Sequence, residues 1–207
     1  MRVIDLFSGL GGFSQAFVDR GHDVTRYEYD EQFKDIPYTI IKDIWYLTAT
    51  DIRQSDIIIA SPPCNHFSIA AVSHHWPDGI PTKATLEQID LVRHTIALCR
   101  ESCSTYWILE NPTGMLRNVI GKPDKFIYLG AWSKKNKKPT DLWGKFPPID
   151  WLLPHKWIEA KRGSKTGVQD PSLSPAERAL IPYEFSLAVC LAAEGNSSQQ
   201  TLGEYNK

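Results

Sequence analysis

The chain has 207 residues, which suits one domain or one domain with a small appendage. Its net charge of −1 says little about partners, but residues 122–165 hold eleven Lys/Arg against four Asp/Glu, a local excess that points to a polyanionic partner. There is no run of 18 apolar residues and no basic-then-apolar amino terminus, so neither a membrane span nor a signal peptide is predicted. Four cysteines with no CxxC pair or regular framework suit a reducing cytoplasm.

The first predicted unit is a strand, a glycine loop and a helix. Residues 2–7 predict the strand, Ser8-Gly9-Leu10-Gly11-Gly12 a tight loop, and residues 13–20 the helix. Because glycines let the backbone approach a ligand closely, this unit is typical of a cradle for a nucleotide-like ligand. Ser14 occupies the place of the third glycine in GxGxxG, which argues against a dinucleotide. A plain strand-to-helix turn is the alternative.

Acidic residues follow the next two predicted strands. Residues 23–29 predict the second strand with Glu28 near its end, and an acid about 20 positions after a glycine loop commonly binds ribose hydroxyls. Asp30 is the neighbouring candidate, and a solvated surface acid is the alternative. Residues 38–41 predict a third strand, followed by Asp43, whose alternative role is to cap a helix just before Trp45.

An isoleucine-rich run, residues 55–60, predicts a strand buried on both faces of a parallel sheet. Pro62 and Pro63 end it, since neither can donate to a sheet ladder. Cys64 follows at the carboxyl end, where open α/β sheets bind their ligands. A cysteine that merely packs in the interior is the alternative.

Residues 65–82 show no clear periodicity, and a loop of this length beside a candidate nucleophile is usually functional. Its histidines have no carboxylate or cysteine at ligand spacing, so no metal site is predicted. A core-facing helix follows, because apolar residues recur at three- and four-residue steps. These residues are Leu86, Ile89, Val92, Ile96, Cys99 and Cys103, which makes both cysteines packing residues.

Residues 105–109 predict the next strand, and Glu110-Asn111-Pro112 stops it at another carboxyl end. A carboxylate at this position is an active-site candidate. The alternative is an acid that stabilises the amino terminus of a helix through the helix dipole.

Basic and aromatic residues interleave in residues 122–165. Lys134-Lys135-Asn136-Lys137-Lys138 is a basic run, residues 139–144 predict a turn into a strand, and residues 161–165 a further basic loop. This composition is typical of nucleic-acid contact. The alternative is a solvated basic loop with its tryptophans packed beneath it. Those tryptophans are Trp132, Trp143, Trp151 and Trp157.

The carboxyl-terminal part predicts two helices. Ser174-Pro175-Ala176-Glu177 has the capping-box pair and the first-turn proline of a helix start. Pro182 then breaks or restarts the helix, and apolar residues within 185–192, together with a structural Cys190, mark a last buried helix. Residues 196–207 are polar and predicted to be disordered.

Three motifs in this order resemble those of the cytosine carbon-5 DNA methyltransferases, in particular small phage-type members with a reduced target-recognition region. They are Asp5-Leu6-Phe7-Ser8-Gly9-Leu10-Gly11-Gly12-Phe13, Ser61-Pro62-Pro63-Cys64 and Leu109-Glu110-Asn111-Pro112. The resemblance covers roughly the first 130 residues. It implies an α/β, Rossmann-like fold that uses S-adenosylmethionine, with a mostly parallel central sheet and helices on both faces.

The resemblance also implies which parts of the chain have which functions. Residues 1–130 would form the catalytic and cofactor-binding domain, residues 131–173 a small basic and aromatic region that contacts DNA, and residues 174–195 helices that pack back on the catalytic domain. A cytoplasmic protein in a bacterial or phage-infected cell is expected, as a monomer or weak dimer.

In the implied reaction, a Cys64 thiolate adds to carbon 6 of cytosine, carbon 5 then takes the methyl group, and Glu110 stabilises ring nitrogen 3. The base must be flipped out of a duplex or already single-stranded. We expect Cys64 in an electropositive, partly exposed pocket and a raised pKa for Glu110.

The remaining site residues are implied by position in the family motifs. Those expected to bind the cofactor are Asp5, Phe7, Ser8, Gly9, Gly11, Gly12, Glu28, Asp43 and Pro62. Those expected to bind the substrate are Pro63, Asn65, Asn111, Pro112, Lys137, Lys138 and Thr140.

The chain departs from the family at three points. Asn65 stands where the family usually has Gln, and the Arg-x-Arg motif has no clean match, which leaves Lys137, Lys138 and Thr140 as candidates. Only about 30 residues separate Gly144 from Ser174, too few for a typical target-recognition region, so target reading is short or depends on a partner subunit.

Three alternatives remain open at this point. The same machinery could transfer a carboxymethyl group from a carboxylated S-adenosylmethionine, or could act on RNA. From a different class, the chain could be a non-catalytic nucleic-acid-binding module.

Overall fold

The computed structural model describes residues 1–133, 138–149, 151 and 174–195. Its strands are β1 (Arg2–Leu6), β2 (Asp23–Glu28), β3 (Thr39–Ile41), β4 (Ile57–Ala60), β5 (Tyr106–Pro112), β6 (Lys125–Tyr128) and β7 (Pro139–Lys145). Its helices are α1 (Gln15–Asp19), α2 (Val72–His75), α3 (Lys83–Glu101), α4 (Arg117–Ile120), α5 (Gly130–Ser133), α6 (Pro175–Ala179) and α7 (Tyr183–Ala193).

The strands form one sheet in the order β3-β2-β1-β4-β5-β7-β6. The first five are parallel, and β7 is antiparallel to both of its neighbours. The strand order reverses between β1 and β4, so the carboxyl ends of these two strands open a crevice in which α/β sheets bind ligands. The glycine loop after β1 and the Cys64 segment after β4 therefore meet at this crevice.

Side chains alternate between the two faces of the central strands and so contribute to two apolar cores. Ile57 and Ile59 of β4 pack with α1 and α7 on one face, whereas Ile58 and Ala60 pack on the other face with α3. All four side chains are fully buried, as the apolar run predicts for a strand covered on both sides. The predicted fold class, a mostly parallel sheet with helices on both faces, is confirmed.

The end of α3 differs from the sequence prediction. The helix ends at Glu101, where the Ser102 hydroxyl donates to the Cys99 carbonyl at 2.9 Å. Cys103 lies beyond this end with a left-handed φ of 59° and is exposed, so its prediction as a packing residue was wrong, whereas Cys99 is buried as predicted. Leu86, also predicted to face the core, is 48% exposed near the helix start.

Residues 65–82 contain short helical turns instead of one irregular loop. Phe67 and Trp76 of this segment are buried in a third apolar cluster with Leu109 and Trp143. The Trp76 indole donates to the His66 carbonyl at 2.8 Å, which closes the segment on itself. The segment is thus packed against the carboxyl ends of β4 and β5.

The two carboxyl-terminal helices agree with the sequence. Ser174 and Glu177 form the predicted capping box at the start of α6, and Pro182 caps α7. The Ser186 hydroxyl of α7 donates to the Phe13 carbonyl at 2.7 Å and accepts from the Ala16 amide at 3.2 Å. These bonds tie α7 to the segment that follows the glycine loop.

Several predictions lie outside the described residues: those on Lys134, Lys135 and Lys137, the basic loop at 161–165 and the tail at 196–207. Within the described part of the chain, no helix is both long enough and apolar enough to cross a membrane.

A buried ion pair fixes β7 beside the end of β5. Asp141 of β7 is fully buried and accepts from the Arg117 Nε at 2.6 Å and from the Thr113 hydroxyl at 3.1 Å. Arg117 itself is partly exposed and also lies over the Phe126 ring, 5.6 Å from its centroid. The pair joins the loop after β5 to the neighbouring strand.

We predict that Arg117→Met lowers the free energy of unfolding by about 1.5–3 kcal/mol, because it leaves the buried Asp141 carboxylate without its charged donor. Arg93→Met is the matched control, since Arg93 pairs with Asp90 on the exposed face of α3 and should change stability little. Urea denaturation of both variants measures the difference, and equal losses would contradict this role of the pair.

Candidate active site

A cavity of about 520 Å³ lies in the crevice at the carboxyl ends of β1 and β4. This volume falls within the range of small-molecule and cofactor sites. Eight residues predicted for the cofactor or substrate line it: Asp5, Phe7, Ser8, Gly9, Gly12, Glu28, Asp43 and Pro63. Gly11 and Pro62, also predicted to bind the cofactor, do not line it.

The glycine loop is held in shape by Glu28. Its Oε2 accepts from the Gly9 amide at 2.8 Å, and its Oε1 accepts from the amides of Tyr29 and Asp30 at 2.8 and 3.1 Å. One carboxylate thus joins the end of β2 to the loop after β1. The predicted ribose ligand therefore has a structural role as well.

Asp5 is buried beneath the glycine loop at the end of β1. Its Oδ2 accepts from the Ser14 hydroxyl at 2.6 Å, while its Oδ1 has no hydrogen-bond partner among the described residues. Burial raises the pKa of Asp5 to about 7, Glu28 adds to this rise, and Ser14 and Arg26 oppose it. The unpartnered Oδ1, together with the equally unpartnered Ser8 hydroxyl, leaves polar capacity for a ligand in the cavity.

Arg26 is a site residue that the sequence prediction missed. Its guanidinium occupies the space in which a Cβ on Gly11 would lie, so Gly11 is needed for this contact and not for the cavity wall. The signal was an arginine in the middle of the β2 run, flanked by residues that the strand buries.

Asp43 has the capping role that the sequence offered as the alternative, and its position leaves the predicted cofactor role open. Its Oδ1 accepts from the Trp45 amide at 3.0 Å, which caps the short turn at Ile44–Tyr46, and the residue also lines the cavity. Trp45 stacks on His94 with ring centroids 5.0 Å apart. The part of the cavity wall that contains Asp43 and Trp45 therefore packs against α3.

The opposite wall comes from the carboxyl-terminal helices. Ala176, Ala179, Leu180 and Ile181 line the cavity, and a Cβ on Gly12 would collide with Leu180 and the Ile181 carbonyl. Close packing on the glycine loop of the segment that joins α6 to α7 is therefore possible because position 12 is glycine. The sequence predicted helices that pack back, but not which of their residues reach the cavity.

Cys64 follows β4, and Glu110 lies in the neighbouring parallel strand β5. β4 pairs with β5 as far as Ala60 and Leu109, and Glu110 comes next in β5. β5 itself does not stop there, because it continues to Pro112 by pairing with β7, which corrects the predicted strand end. The Asn111 side chain donates to the Pro62 carbonyl at 2.9 Å and so ties the Pro-Pro-Cys turn to β5.

The segment after Cys64 is anchored on both sides of the turn. The Cys64 carbonyl accepts from the amides of Phe67 and Ser68 at 3.0 and 2.9 Å, and the Met115 amide donates to the Phe67 carbonyl at 2.8 Å. These backbone bonds hold Cys64 in a short turn between the loops that follow β4 and β5.

The surroundings of the pair, above all its burial, raise both pKa values and favour protonated side chains. Burial raises the pKa of Glu110, which Lys138 and the Ser61 hydroxyl oppose and Asp141 reinforces. Burial also raises the pKa of the half-buried Cys64 thiol, Glu110 adds to it, and Lys138 opposes it. The raised pKa of Glu110 agrees with the sequence prediction, whereas the described surroundings of Cys64 raise its pKa and do not favour the predicted thiolate.

Among the described residues, Lys138 is the cation that acts on both members of the pair. Its Nζ donates to the Ala179 carbonyl of α6 at 3.0 Å. Thr140 is fully buried and its hydroxyl donates to the Lys138 carbonyl at 3.0 Å, so its side chain does not face the substrate side. Of the three candidates for the Arg-x-Arg role, Lys138 is thus the one beside Cys64, and Lys137 lies outside the described residues.

The other residues predicted to bind substrate differ in exposure. Pro63 and Asn65 flank Cys64 and are exposed, whereas Asn111 is buried and Pro112 half-buried. Asn111 already serves the structure through its bond to Pro62, although its Oδ1 has no partner among the described residues.

The three tryptophans of the basic region that the structure describes do not form an exposed stacking surface. Trp132 and Trp143 are buried in the core, and Trp151 is half-buried against Phe146 with ring centroids 5.3 Å apart. For these three, the alternative of tryptophans packed beneath a basic surface is correct. Trp157 lies outside the described residues.

One cluster of potential metal ligands occurs in the described part of the chain: His22, Cys190 and Glu194. The Glu194 carboxylate already accepts from the Arg20 guanidinium at 2.7 and 2.9 Å and contacts the His22 ring at 2.8 Å. Burial and Glu194 raise the pKa of Cys190 to about 12, which keeps the thiol protonated. The cluster is thus a network around an ion pair, and it supports no metal site.

Comparisons with known proteins agree with this arrangement. The family model for the C-5 cytosine-specific DNA methylases matches residues 1–123, more than half of the chain. A frog virus 3 protein named "Probable DNA (cytosine-5)-methyltransferase" is 28% identical over 157 residues, which are 69% of this chain and 70% of that protein. The type II methyltransferase M.MspI of Moraxella is 34% identical over 133 residues, which are 61% of this chain.

The chain is shorter than several of these relatives. It spans 30% of M.MspI and 54% of the Entamoeba histolytica methyltransferase EhMeth, a solved structure with a TM-score of 0.49 and 14% identity over 72% of this chain. The matched residues contain the glycine loop, Cys64 and Glu110. On the strength of the family match, this chain belongs to the C-5 cytosine-specific DNA methylase family.

Proposed function

We propose that the chain transfers a methyl group from S-adenosylmethionine to carbon 5 of cytosine in DNA through a covalent Cys64 adduct, with the target base flipped out. The observation that carries the proposal is the placement of Cys64 after β4 and of Glu110 in the adjacent strand β5, beside a cavity whose buried acceptors include some without a partner among the described residues. A non-catalytic binding module has no need of this pair.

The charge of the cavity favours S-adenosylmethionine as the cofactor. Four carboxylic acids line it, Asp5, Glu28, Asp30 and Asp43, and its described lining includes no Lys, Arg or His. An acidic wall attracts the sulfonium and ammonium groups of this cofactor and disfavours the extra carboxylate of a carboxylated analogue. In the bound complex, Glu28 would take the ribose hydroxyls and Asp43 the adenine amino group.

The protein side of the reaction begins with Cys64. Its thiolate adds to carbon 6 of the flipped cytosine, which makes carbon 5 nucleophilic, and protonated Glu110 donates to ring nitrogen 3 as charge develops there. S-adenosylmethionine, when bound, supplies an electrophilic methyl group. Loss of the carbon-5 proton to a base then expels the Cys64 thiolate and restores the aromatic ring, while nitrogen 3 returns its proton.

The proton balance of the pair suits this chemistry. The active state needs a Cys64 thiolate beside a neutral Glu110, and a neutral Glu110 no longer opposes ionisation of the thiol. Lys138 supplies the positive charge that favours the thiolate. The proposed roles are therefore nucleophile for Cys64, acid for Glu110 and electrostatic support for Lys138.

DNA contact is assigned to residues 131–173, with residues 1–130 as the catalytic domain. Because Trp132 and Trp143 are buried, the contact rests on the lysines and arginines of this region and on electrostatic attraction to phosphates. We therefore expect the protein to recognise only a short sequence around the target cytosine, since lysines bind phosphates more readily than base edges.

Cys64→Ala should abolish methyl transfer and leave cofactor affinity unchanged, because Cys64 does not line the cofactor cavity. DNA with 5-fluorocytosine at every cytosine tests the adduct, since fluorine cannot leave carbon 5 as a cation and the enzyme stays bound. Mass spectrometry should show a covalent complex with the original protein and with the exposed-cysteine control Cys103→Ala, but not with Cys64→Ala. A Cys64→Ala protein that still forms the complex would sink the nucleophile assignment.

Glu110→Gln should lower the rate and change its pH dependence. With Glu110 present, the rate should rise with pH as Cys64 ionises and fall as Glu110 loses its proton, giving a bell whose two apparent pKa values belong to the pair. With Gln at position 110 the falling limb should disappear. Single-turnover rates across the pH range measure this, and a bell that persists in Glu110→Gln would assign the acid elsewhere.

Lys138→Ala should move the whole bell to higher pH by about half to one unit, because Lys138 lowers the pKa of both Cys64 and Glu110. Lys138→Arg keeps the charge and should retain the original profile. Lys145→Ala is the control for loss of a lysine from this part of the chain, since Lys145 is exposed at the far end of β7, which begins just after Lys138. If Lys145→Ala shifts the profile as far as Lys138→Ala does, the effect is one of overall charge.

A further inference from the structure

A buried arginine stands beneath the glycine loop. Arg26 of β2 is 1% exposed. Its Nη2 donates to the Gly11 carbonyl at 2.9 Å and to the Gln15 side chain at 3.0 Å, and its Nη1 donates to the Pro37 carbonyl at 3.0 Å. One guanidinium thus joins the loop after β1, the start of α1 and the turn before β3.

The same guanidinium reaches the cofactor cavity through one hydroxyl. Arg26 Nε donates to the Ser14 Oγ at 2.8 Å, and the Ser14 hydroxyl donates to Asp5 Oδ2 at 2.6 Å. The other oxygen of Asp5 is buried without a partner among the described residues, and Asp5 lines the cavity. This chain of hydrogen bonds therefore leads from the Arg26 guanidinium to a carboxylate in the cavity wall, one oxygen of which has no partner among the described residues.

We propose that Arg26 is a positioning residue for the cofactor: through Ser14 it orients the Asp5 carboxylate and keeps it anionic, so that its free oxygen receives a cationic group of the ligand. The inference rests on the proposed function, because it takes S-adenosylmethionine as that ligand. The packing of Gly11 supports it, since any side chain there would displace the guanidinium.

The electrostatic surroundings give the proposal a measurable signature. Burial raises the pKa of Asp5 to about 7, so the carboxylate is lost as pH falls through neutrality. Affinity for a cationic ligand should therefore increase as pH rises towards about 7 and then level off. The other charged or titratable groups that face this network are Glu28 beside Asp5, Asp19 and Tyr38 beside Arg26, and Asp30 and Asp43 in the cavity wall.

Calorimetry of S-adenosylmethionine binding between about pH 5.5 and 9 tests this signature. Arg26→Gln should move the midpoint of the affinity change upward by about one pH unit, because the positive charge that favours ionised Asp5 is gone. Arg26→Lys keeps that charge and should restore the midpoint. Asp5→Asn should abolish the pH dependence and weaken binding at pH 8.

Ser14→Ala is the second route to the same result. It breaks the chain to Asp5 but leaves the bonds of Arg26 to Gly11, Gln15 and Pro37, so the fold should survive even if Arg26→Gln does not fold. Its midpoint should also move upward. Gln15→Ala is the matched control, because it removes one Arg26 partner that lies outside the chain to Asp5, and its midpoint should stay unchanged.

The outcomes separate the two proposals. A wild-type protein that binds no S-adenosylmethionine at any pH overturns the proposed function. A wild-type protein that binds it, with a midpoint that is the same in Ser14→Ala and in folded Arg26→Gln, overturns the positioning role of Arg26 and leaves the proposed function standing. Circular dichroism melts of each variant establish which ones are folded.

Discussion

The pairing of β4 between β1 and β5 is the constraint on which the rest of the structure depends. It aligns Leu6 with Ala60 and Ala60 with Leu109, so the residues that follow these positions lie side by side. The loop after β1 carries the glycines and the loop after β4 carries Cys64, while Glu110 is the next residue of β5, which continues to Pro112. Because a shift of one residue in a parallel register would turn alternate side chains to the other face, the buried isoleucines of β4 also fix the site.

The site contains carboxylic acids at positions where burial makes their ionisation unfavourable. Asp5 and Glu110 are both almost fully buried, and burial is the main cause of the raised pKa of each. Such groups reduce the stability of the unliganded protein at neutral pH, since the unfolded chain would ionise them freely. A stable fold that retains them points to a use in ligand binding or catalysis, and each has an oxygen without a partner among the described residues.

Short sequence patterns predicted the fold class and the order in which the site residues follow the strands. They could do so because buried strands, prolines and glycines affect the structure over only a few residues. The run at Ile57–Ala60, the Pro-Pro stop and the capping box at Ser174 are of this kind. Two features could not be predicted in the same way. The role of Arg26 depends on its register beside Asp5, and the burial of Trp132 depends on contact with α7, which comes more than 40 residues later in the chain.

The carboxyl-terminal helices link the two halves of the site. α6 supplies Ala176 and Ala179 to the cofactor cavity, and the carbonyl of Ala179 accepts from Lys138, the cation beside Cys64 and Glu110. One short helix therefore contributes to the wall of the cofactor cavity and also positions the Lys138 ammonium group that acts on Cys64. The segment that follows α6 packs on the glycine loop, where Leu180 and the Ile181 carbonyl lie against Gly12. In this chain the electrostatics of the catalytic pair and the shape of the cofactor cavity are parts of the same packing arrangement.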